Sequence, residues 1–221
     1  MWFLLVLFYV STITVPTFGF LIQNGGSLCP PPEEVAPCTC SEVSDRVTAL
    51  CKGISNARTI EKVFSKNPDW NLQDVHFDQC VLDYIPSSIV KSARFQTLNV
   101  TSSTLVSLFD AAPVKTPEIN VYLYDVKILR GVQWEFFSNA TLKEFGAWNV
   151  DIEHFGTSFK EHMPQVVTNL WFDNTKTASI SHQAFQHMVN VEMFTLVGGS
   201  LKKISRDMFP RPWKVLSWDL R

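Results

Sequence analysis

The chain has 221 residues, of which 46% are apolar and 18% are charged, and its formal net charge is −2. This length is ample for a hydrophobic core. The near-neutral balance, without a cluster of lysine and arginine, argues against nucleic acid or an anionic membrane surface as the binding partner.

The N-terminal segment is apolar and carries no charged residue up to Phe20. Such a segment is typical of a secretory signal peptide, and small residues near its end predict cleavage after Gly19. We therefore expect a signal peptide over residues 1–19, a flexible lead-in over residues 20–28, and secretion into the extracellular space. The apolar run to Ile22 could also span a bilayer as an uncleaved anchor, but it lacks a basic flank. No second apolar span follows, so we expect no membrane insertion apart from the cleaved signal.

Four of the five cysteines form a cluster directly after this segment, at Cys29, Cys38, Cys40 and Cys51. Close spacing after a signal peptide predicts two disulfide bonds, and the sequence alone allows three pairings. Zinc is the alternative, but Cys38-x-Cys40 is too short for the usual zinc knuckle and the cluster contains no histidine. We expect residues 29–68 to form a disulfide-stapled N-terminal cap, with a first edge strand near Val47–Cys51 and a helical turn after it.

An apolar-x-apolar triplet recurs from residue 69 to residue 221. Its copies begin 22 to 25 residues apart, at Val75, Leu98, Val121, Phe145, Leu170, Phe194 and Leu216. A period of this length, with further apolar residues at fixed offsets, indicates leucine-rich repeats. The predicted fold is an α/β solenoid: a horseshoe with a concave parallel β-sheet and an irregular or short-helical convex side.

The repeat region contains about six complete repeats and the start of a seventh. No cysteine-rich C-terminal cap follows, so an open strand with exposed tryptophans would end the sheet. We therefore interpret the sequence as a fragment of a longer chain. A short protein that dimerises through its open end is the alternative.

The fifth residue after each triplet start is often asparagine in such repeats, where it bonds to the backbone of the convex turn. Here these positions hold other residues: Cys80, Ser103, Val126, Val150, Thr175 and Gly199. Cysteine, serine and threonine can replace some of those hydrogen bonds, whereas valine and glycine cannot. We expect variable convex turns and a buried, structural thiol at Cys80.

Residues that alternate with the apolar positions should lie on the concave face, where a partner could bind. Tyr122, Tyr124, Trp148 and Trp171 fall there on three consecutive strands. Because adjacent strands are about 4.8 Å apart, their rings should form a patch roughly 10–15 Å across. Aromatic residues are enriched at binding hot spots, so we predict that these four bind a partner. A one-residue slip in register would instead bury Trp148.

Acidic residues on the same face, Asp74, Asp78 and Asp173, are expected to be isolated and solvated.

Two sequons predict N-glycosylation: Asn99-Val-Thr on the concave face and Asn139-Ala-Thr on the convex side. A glycan on Asn99 would limit how far a partner extends toward the N-terminal repeats.

No catalytic signature occurs in the sequence. His76 and Cys80 are four residues apart, but on a strand followed by a turn their side chains should diverge. The remaining histidines lack metal-ligand spacing. We expect no enzymatic activity, no cofactor and no metal.

The cap motif supports a more specific comparison. The segment Cys29-Pro-Pro-Pro-Glu-Glu-Val-Ala-Pro-Cys38-Thr-Cys40, with Cys51-x-Gly-Ile-Ser after it, is similar to one group of arthropod proteins. These are the secreted leucine-rich repeat proteins that resemble the non-catalytic subunit of Oplophorus luciferase (luciferin 2-monooxygenase). The resemblance is strongest from residue 29 to about residue 64 and continues as a pattern through the repeats.

This resemblance implies an extracellular, non-enzymatic protein that binds an unidentified extracellular protein, such as an enzyme of which it is the non-catalytic partner. It does not imply luminescence. In extracellular leucine-rich repeat caps the first cysteine pairs with the third and the second with the fourth, which implies Cys29–Cys40 and Cys38–Cys51. The alternative to a secreted binding protein is that this chain is the N-terminal part of a membrane receptor or adhesion ectodomain with leucine-rich repeats.

We predict that cells expressing the chain release it into the culture medium with its first four cysteines oxidised, because the signal peptide exports it to a compartment where disulfides form. Intact-mass measurement after alkylation should show one modified thiol, at Cys80, and an N-terminus at Phe20. Accumulation in the cytosol with all cysteines alkylated would contradict the interpretation of the N-terminal segment.

Overall fold

A computed structural model describes residues 28–65, 70–92, 95–112 and 116–220. The predicted signal peptide, the lead-in before Leu28 and the predicted end of the cap at residue 68 lie outside the described residues.

The described residues form mainly short β-strands. In chain order these are β1 (Thr39–Val43), β2 (Arg46–Lys52), β3 (Asp74–Asp78), β4 (Val81–Leu82), β5 (Thr97–Thr101), β6 (Thr104–Leu105), β7 (Glu118–Tyr124), β8 (Lys127–Ile128), β9 (Thr141–Trp148), β10 (His154–Phe155), β11 (Asn169–Asp173), β12 (Ser179–Ile180), β13 (Met193–Val197) and β14 (Ser217–Leu220). The main sheet has the order β1-β2-β3-β5-β7-β9-β11-β13-β14, and every pair from β2 onward is parallel. The other strands form two short parallel sheets, β4-β6-β8 and β10-β12.

Helices are few and short in the described part of the chain. They are α1 (Pro32–Val35), α2 (Ala57–Ser65), α3 (Ser87–Ser92) and α4 (Thr157–His162), with 3₁₀ turns at Trp134–Phe137 and Arg206–Met208. None of the described helices is long and apolar enough to cross a membrane. The result is a mostly parallel, α/β-like structure whose successive main-sheet strands pair in chain order, which is consistent with a solenoid.

The first six triplets stand side by side in the main sheet. Val75 pairs with Leu98, and the same register continues through Val121, Phe145, Leu170 and Phe194. The predicted period is therefore the spacing of the strands, and the residues at both ends of each triplet are buried. Because side chains alternate along a strand, this register fixes which residues face away from the core.

The predicted start of the seventh triplet is wrong. Phe194 pairs with Trp218, whereas Leu216 precedes β14 and is 81% exposed. The seventh strand therefore aligns two residues later in the chain than the predicted triplet start at Leu216. The physical reason is aromatic packing: the Trp218 ring lies 5.2 Å from the rings of Phe209 and Trp213, so this pairing places the larger apolar side chain against the end of the core.

Phenylalanines dominate the core between the main sheet and the short strands. Phe155 lies 4.7 Å from Phe172 and 5.1 Å from Phe159, and both pairs meet edge to face. Phe159 in turn contacts Phe185 and Trp134 from neighbouring repeats. Pairs of this geometry contribute about 0.5–1.5 kcal/mol each beyond their buried area, so the rings connect the successive repeats.

A left-handed residue ends each strand of the main sheet from β2 to β13. These residues have φ between 47° and 75° and are Gly53, Gln79, Ser102, Asp125, Asn149, Asn174 and Gly198. Each of the first six donates its backbone N–H to the carbonyl of the last residue in the next strand, at N···O distances of 2.8–3.1 Å. Glycine, asparagine and aspartate adopt this conformation at the lowest cost. The same turn thus directs the chain from the sheet toward the second layer in every repeat.

Ser103 satisfies part of the turn after the strands, as expected for a polar residue at the fifth position of the repeat. Ser103 Oγ accepts a hydrogen bond from the Cys80 backbone N–H at 2.9 Å and donates to the Thr101 carbonyl at 2.6 Å. Val126 and Val150 are buried and add apolar packing. Cys80 is a buried free thiol 3.3 Å from the Cys51 carbonyl, and burial raises its pKa.

The N-terminal cap contains both disulfide bonds. Cys29 pairs with Cys40 and Cys38 with Cys51, which is the pairing that the resemblance implies. The expected edge strand at Val47–Cys51 lies within β2, but β1 pairs with it antiparallel and forms the edge instead. The expectation that β2 is the edge strand is wrong, because a tight turn after Val43 places β1 beside β2 in the sheet.

We predict that Leu170→Ala lowers the free energy of unfolding by about 2–5 kcal/mol, because the fully buried side chain would leave a cavity between successive repeats. Leu129→Ala removes the same atoms from a side chain that is 57% exposed and should change stability little. Urea denaturation followed by circular dichroism measures both. Equal losses for the two variants would contradict the assigned core.

Candidate partner-binding face of the sheet

The face of the main sheet opposite the core is lined by the residues that alternate with the buried positions; we call it the open face. On β3 to β13 its members are Asp74, His76, Asp78, Thr97, Asn99, Thr101, Asn120, Tyr122, Tyr124, Glu144, Gly146, Trp148, Asn169, Trp171, Asp173, Met193, Thr195 and Val197. Most are partly exposed, and the residues between them are buried. The strand register therefore places on the open face the residues that the sequence predicted for it.

Four side chains of the open face form one aromatic cluster: Tyr122, Tyr124, Trp148 and Trp171. Tyr124 stacks on Trp148 with ring centroids 4.4 Å apart and planes within 9°. Trp148 is also stacked with Trp171 at 6.2 Å, and Tyr122 lies 6.1–6.2 Å from both indoles. All four rings stay partly exposed. The structure thus brings together the four residues that the sequence singled out, and Trp148 is not buried by a slip in register.

Gly146 makes room for the central ring of the aromatic cluster. It stands between Tyr122 and Trp171 in the same row of the sheet, where a side chain would otherwise project. A Cβ atom added to Gly146 would lie 2.2 Å from the Trp148 ring and 3.0 Å from the Tyr122 ring. The missing side chain therefore lets the Trp148 indole lie back over its own strand and fill the gap between its neighbours.

Glu144 holds one edge of the aromatic cluster. Its carboxylate accepts a hydrogen bond from the Tyr122 hydroxyl and another from Asn169 Nδ2 at 2.9 Å. Burial, followed by the hydrogen bond to Glu144, raises the pKa of Tyr122 above its ordinary value. The hydrogen bond that the phenol donates to Glu144 holds the Tyr122 ring against the sheet.

The N-terminal end of the open face is polar and paired. Arg46 binds Asp74 at 2.6 Å, and Lys52 binds Asp78 at 3.1 Å. Asp78 also accepts from Thr101 Oγ1 at 2.8 Å, and this bond, with the contact to Lys52, lowers the pKa of Asp78. The expectation that Asp74 and Asp78 are isolated is wrong, because β2 brings basic side chains beside β3.

His76 and Cys80 diverge as the sequence predicts. His76 lies on the open face, where its Nε2 is 2.8 Å from Thr101 Oγ1, and desolvation lowers its pKa. Cys80 is buried on the other side of the turn. The two side chains therefore do not form a catalytic pair. No group of three potential metal-binding side chains occurs among the described residues.

The two sequons occupy different surroundings. Asn99 lies on β5 in register with Tyr122, so a glycan on Asn99 would stand beside the aromatic cluster. Asn139 is exposed in the turn before β9. Glycosylation of either residue stays a prediction.

Sequence reasoning missed the supporting roles of Gly146 and Glu144. A signal for Gly146 was present, because glycine inside a strand often marks a close approach of another group. Glu144 carried no such signal, since its bonds depend on Tyr122 and Asn169 from the two neighbouring strands.

Comparison with models of known protein families finds no match for this chain, and comparison with curated proteins finds none either.

We predict that Gly146→Ala keeps the fold but displaces the Trp148 ring, because the new Cβ would overlap the indole. The near-UV circular dichroism of the stacked tryptophans should change, while the far-UV spectrum is retained. In the background of Trp148→Ala the same substitution should have almost no spectral effect, since its only severe clash is then removed. An equal effect in both backgrounds would show that Gly146 serves the backbone and not the ring.

Proposed function

We propose that this chain is a secreted, non-enzymatic leucine-rich repeat protein that binds an extracellular protein partner through the concave face of its sheet. The observation that carries the proposal is the aromatic cluster, in which four partly exposed rings form one contiguous surface on three consecutive strands. Aromatic residues of this kind supply large binding area at low cost in conformational entropy.

The leucine-rich repeat assignment is supported by the register of the first six triplets and by the turn that they share. Each repeat contributes one strand to the main sheet, then a left-handed residue, then the second layer. In a solenoid of this type each repeat contacts mainly its neighbours, so the sheet offers one extended face to a partner.

Secretion is supported by the two disulfide bonds of the cap. Disulfides persist in oxidising compartments and are rare in the cytosol. They link the residues before and within β1 to each other and to β2, at the end of the sheet that would otherwise be open.

The rings of the aromatic cluster are not needed to close the core. Beneath them Leu123, Phe145, Ala147, Leu170 and Phe172 are all fully buried. The cluster is therefore an additional apolar surface on the solvent side of a finished sheet. Contacts among the rings fix their positions before any partner arrives, which lowers the entropic cost of binding.

The resemblance of the cap suggests one kind of partner, an extracellular enzyme for which this chain is the non-catalytic subunit. The proposal itself requires only that the partner is a protein and that it contacts the aromatic cluster.

We predict that Trp171→Ala and Tyr124→Ala each weaken partner binding by about 1–3 kcal/mol while the protein stays folded, because they remove exposed ring area and no core. The immobilised protein first captures its partner from extracellular fluid, and calorimetry then compares the variants. Tyr84→Ala removes a partly exposed tyrosine away from the open face and is the matched control. Unchanged binding by both cluster variants would overturn the proposed function.

A further inference from the structure

The charges of the open face are distributed unevenly around the aromatic cluster. The face residues of β5, β7, β9, β11 and β13, all of them described, include Glu118, Glu144 and Asp173. The one basic residue on the solvent side of these strands, Lys143 of β9, is already paired with Glu118. The basic residues near this face, Arg46 and Lys52, lie at its N-terminal end and are already paired with Asp74 and Asp78. The charged side chains that border the rings on β9 and β11 without a basic partner among the described residues, Glu144 and Asp173, are therefore both acidic.

Lysines of the same repeats do not neutralise these two carboxylates. Lys143 is 3.3 Å from Glu118, and Lys176 is 2.6 Å from Asp151. Each of these cations is thus held by a carboxylate that does not belong to the aromatic cluster or its border. Asp125, at the end of β7, adds a further carboxylate beside the cluster, where it accepts a hydrogen bond from Asn149 at 2.7 Å.

Two carboxylates border the rings directly. Asp173 stands in register with Trp148, and among the described residues its side chain has no hydrogen-bond or ion-pair partner. Glu144 already accepts from Tyr122 and Asn169, but a carboxylate has about four acceptor positions and can accept more. Both can therefore accept hydrogen bonds from a ligand placed over the rings.

The ring faces themselves favour a cation. The π-face of an aromatic side chain is negative, and tryptophan attracts an ammonium or guanidinium group most strongly. The planes of Trp148 and Trp171 are within 24° of each other, and both rings stay partly exposed, so a flat group can lie against them. Guanidinium is planar, stacks on aromatic faces and binds carboxylates through paired hydrogen bonds.

We infer that the aromatic cluster binds an arginine- or lysine-bearing segment of the partner protein, with the cation over Trp148 and Trp171 and its N–H groups on Asp173 and Glu144. This inference rests on the proposed function and adds the chemistry of the partner. A neutral carbohydrate would also stack on tryptophan and tyrosine and donate hydroxyls to the carboxylates, but it would not neutralise the charge of Glu144 and Asp173.

The test uses the secreted, disulfide-bonded chain and short glycine–serine peptides that differ only in the inserted residue: arginine, citrulline or glutamate. Citrulline has the shape of arginine without its charge. Tryptophan fluorescence and calorimetry report binding. We expect the arginine peptide to bind at least about tenfold more tightly than the citrulline peptide, and the glutamate peptide not to bind.

Salt and substitution provide further measurements on the arginine peptide. Its affinity should fall when salt rises from about 0.1 M to about 1 M, because the Debye length shrinks from about 10 Å to about 3 Å. Asp173→Asn should weaken its binding several-fold. Asp83→Asn removes an equivalent charge from an exposed position off the open face and should leave the affinity unchanged.

The outcomes separate this inference from the proposed function. Equal binding of the arginine and citrulline peptides, lost in both cases with Trp171→Ala, would overturn the cationic partner and retain a peptide-binding face. Binding of a neutral oligosaccharide, dependent on Trp171, with none of any peptide would overturn both. Absence of binding by every probe would overturn the cationic partner, and capture of a protein partner would then decide the proposed function.

Discussion

The backbone ladder of the main sheet is the constraint on which the rest of this structure depends. From β3 to β13 consecutive strands pair in parallel with the same register, and the left-handed residue after each main-sheet strand from β2 to β11 bonds to the end of the next strand. A strand that slipped by one residue would lose these bonds and exchange its buried and exposed side chains. The ladder therefore fixes the spacing of the repeats and also the identity of every residue on the open face.

This register separates the buried phenylalanines from the tyrosines and tryptophans of the aromatic cluster. Among the described side chains that are less than 2% exposed, ten of the largest are phenylalanines, which bring no polar atom into the core. Tyrosine and tryptophan of the aromatic cluster lie on the other side of the sheet, where the Tyr122 hydroxyl reaches Glu144. The polar atom of a tyrosine or tryptophan needs a partner when it is buried, so the two kinds of ring suit the two faces.

The open face changes its character along the sheet. Near β3 it is made of ion pairs and a hydrogen-bonded threonine, with both aspartates satisfied by basic residues from β2. From β7 to β11 it becomes aromatic and acidic. The carboxylates near β3 are already neutralised by these basic side chains, whereas Glu144 and Asp173 have no basic partner among the described residues. The aromatic and acidic part is therefore the part of the sheet to which the proposed function assigns recognition.

The sequence by itself determined the period, the buried positions of the first six repeats and the residues of the aromatic cluster, because a side chain's face depends only on its place within a strand. It could not determine contacts between repeats. The pairing of Asp74 with Arg46, the bonds of Glu144 and the position of the Trp148 ring over Gly146 all join residues from separate strands or depend on a ring's orientation. The start of the last strand was also decided by packing, because Trp218 reaches the rings of Phe209 and Trp213 where Leu216 does not. Periodicity records the local alternation of apolar residues, whereas these features arise only when distant repeats are stacked.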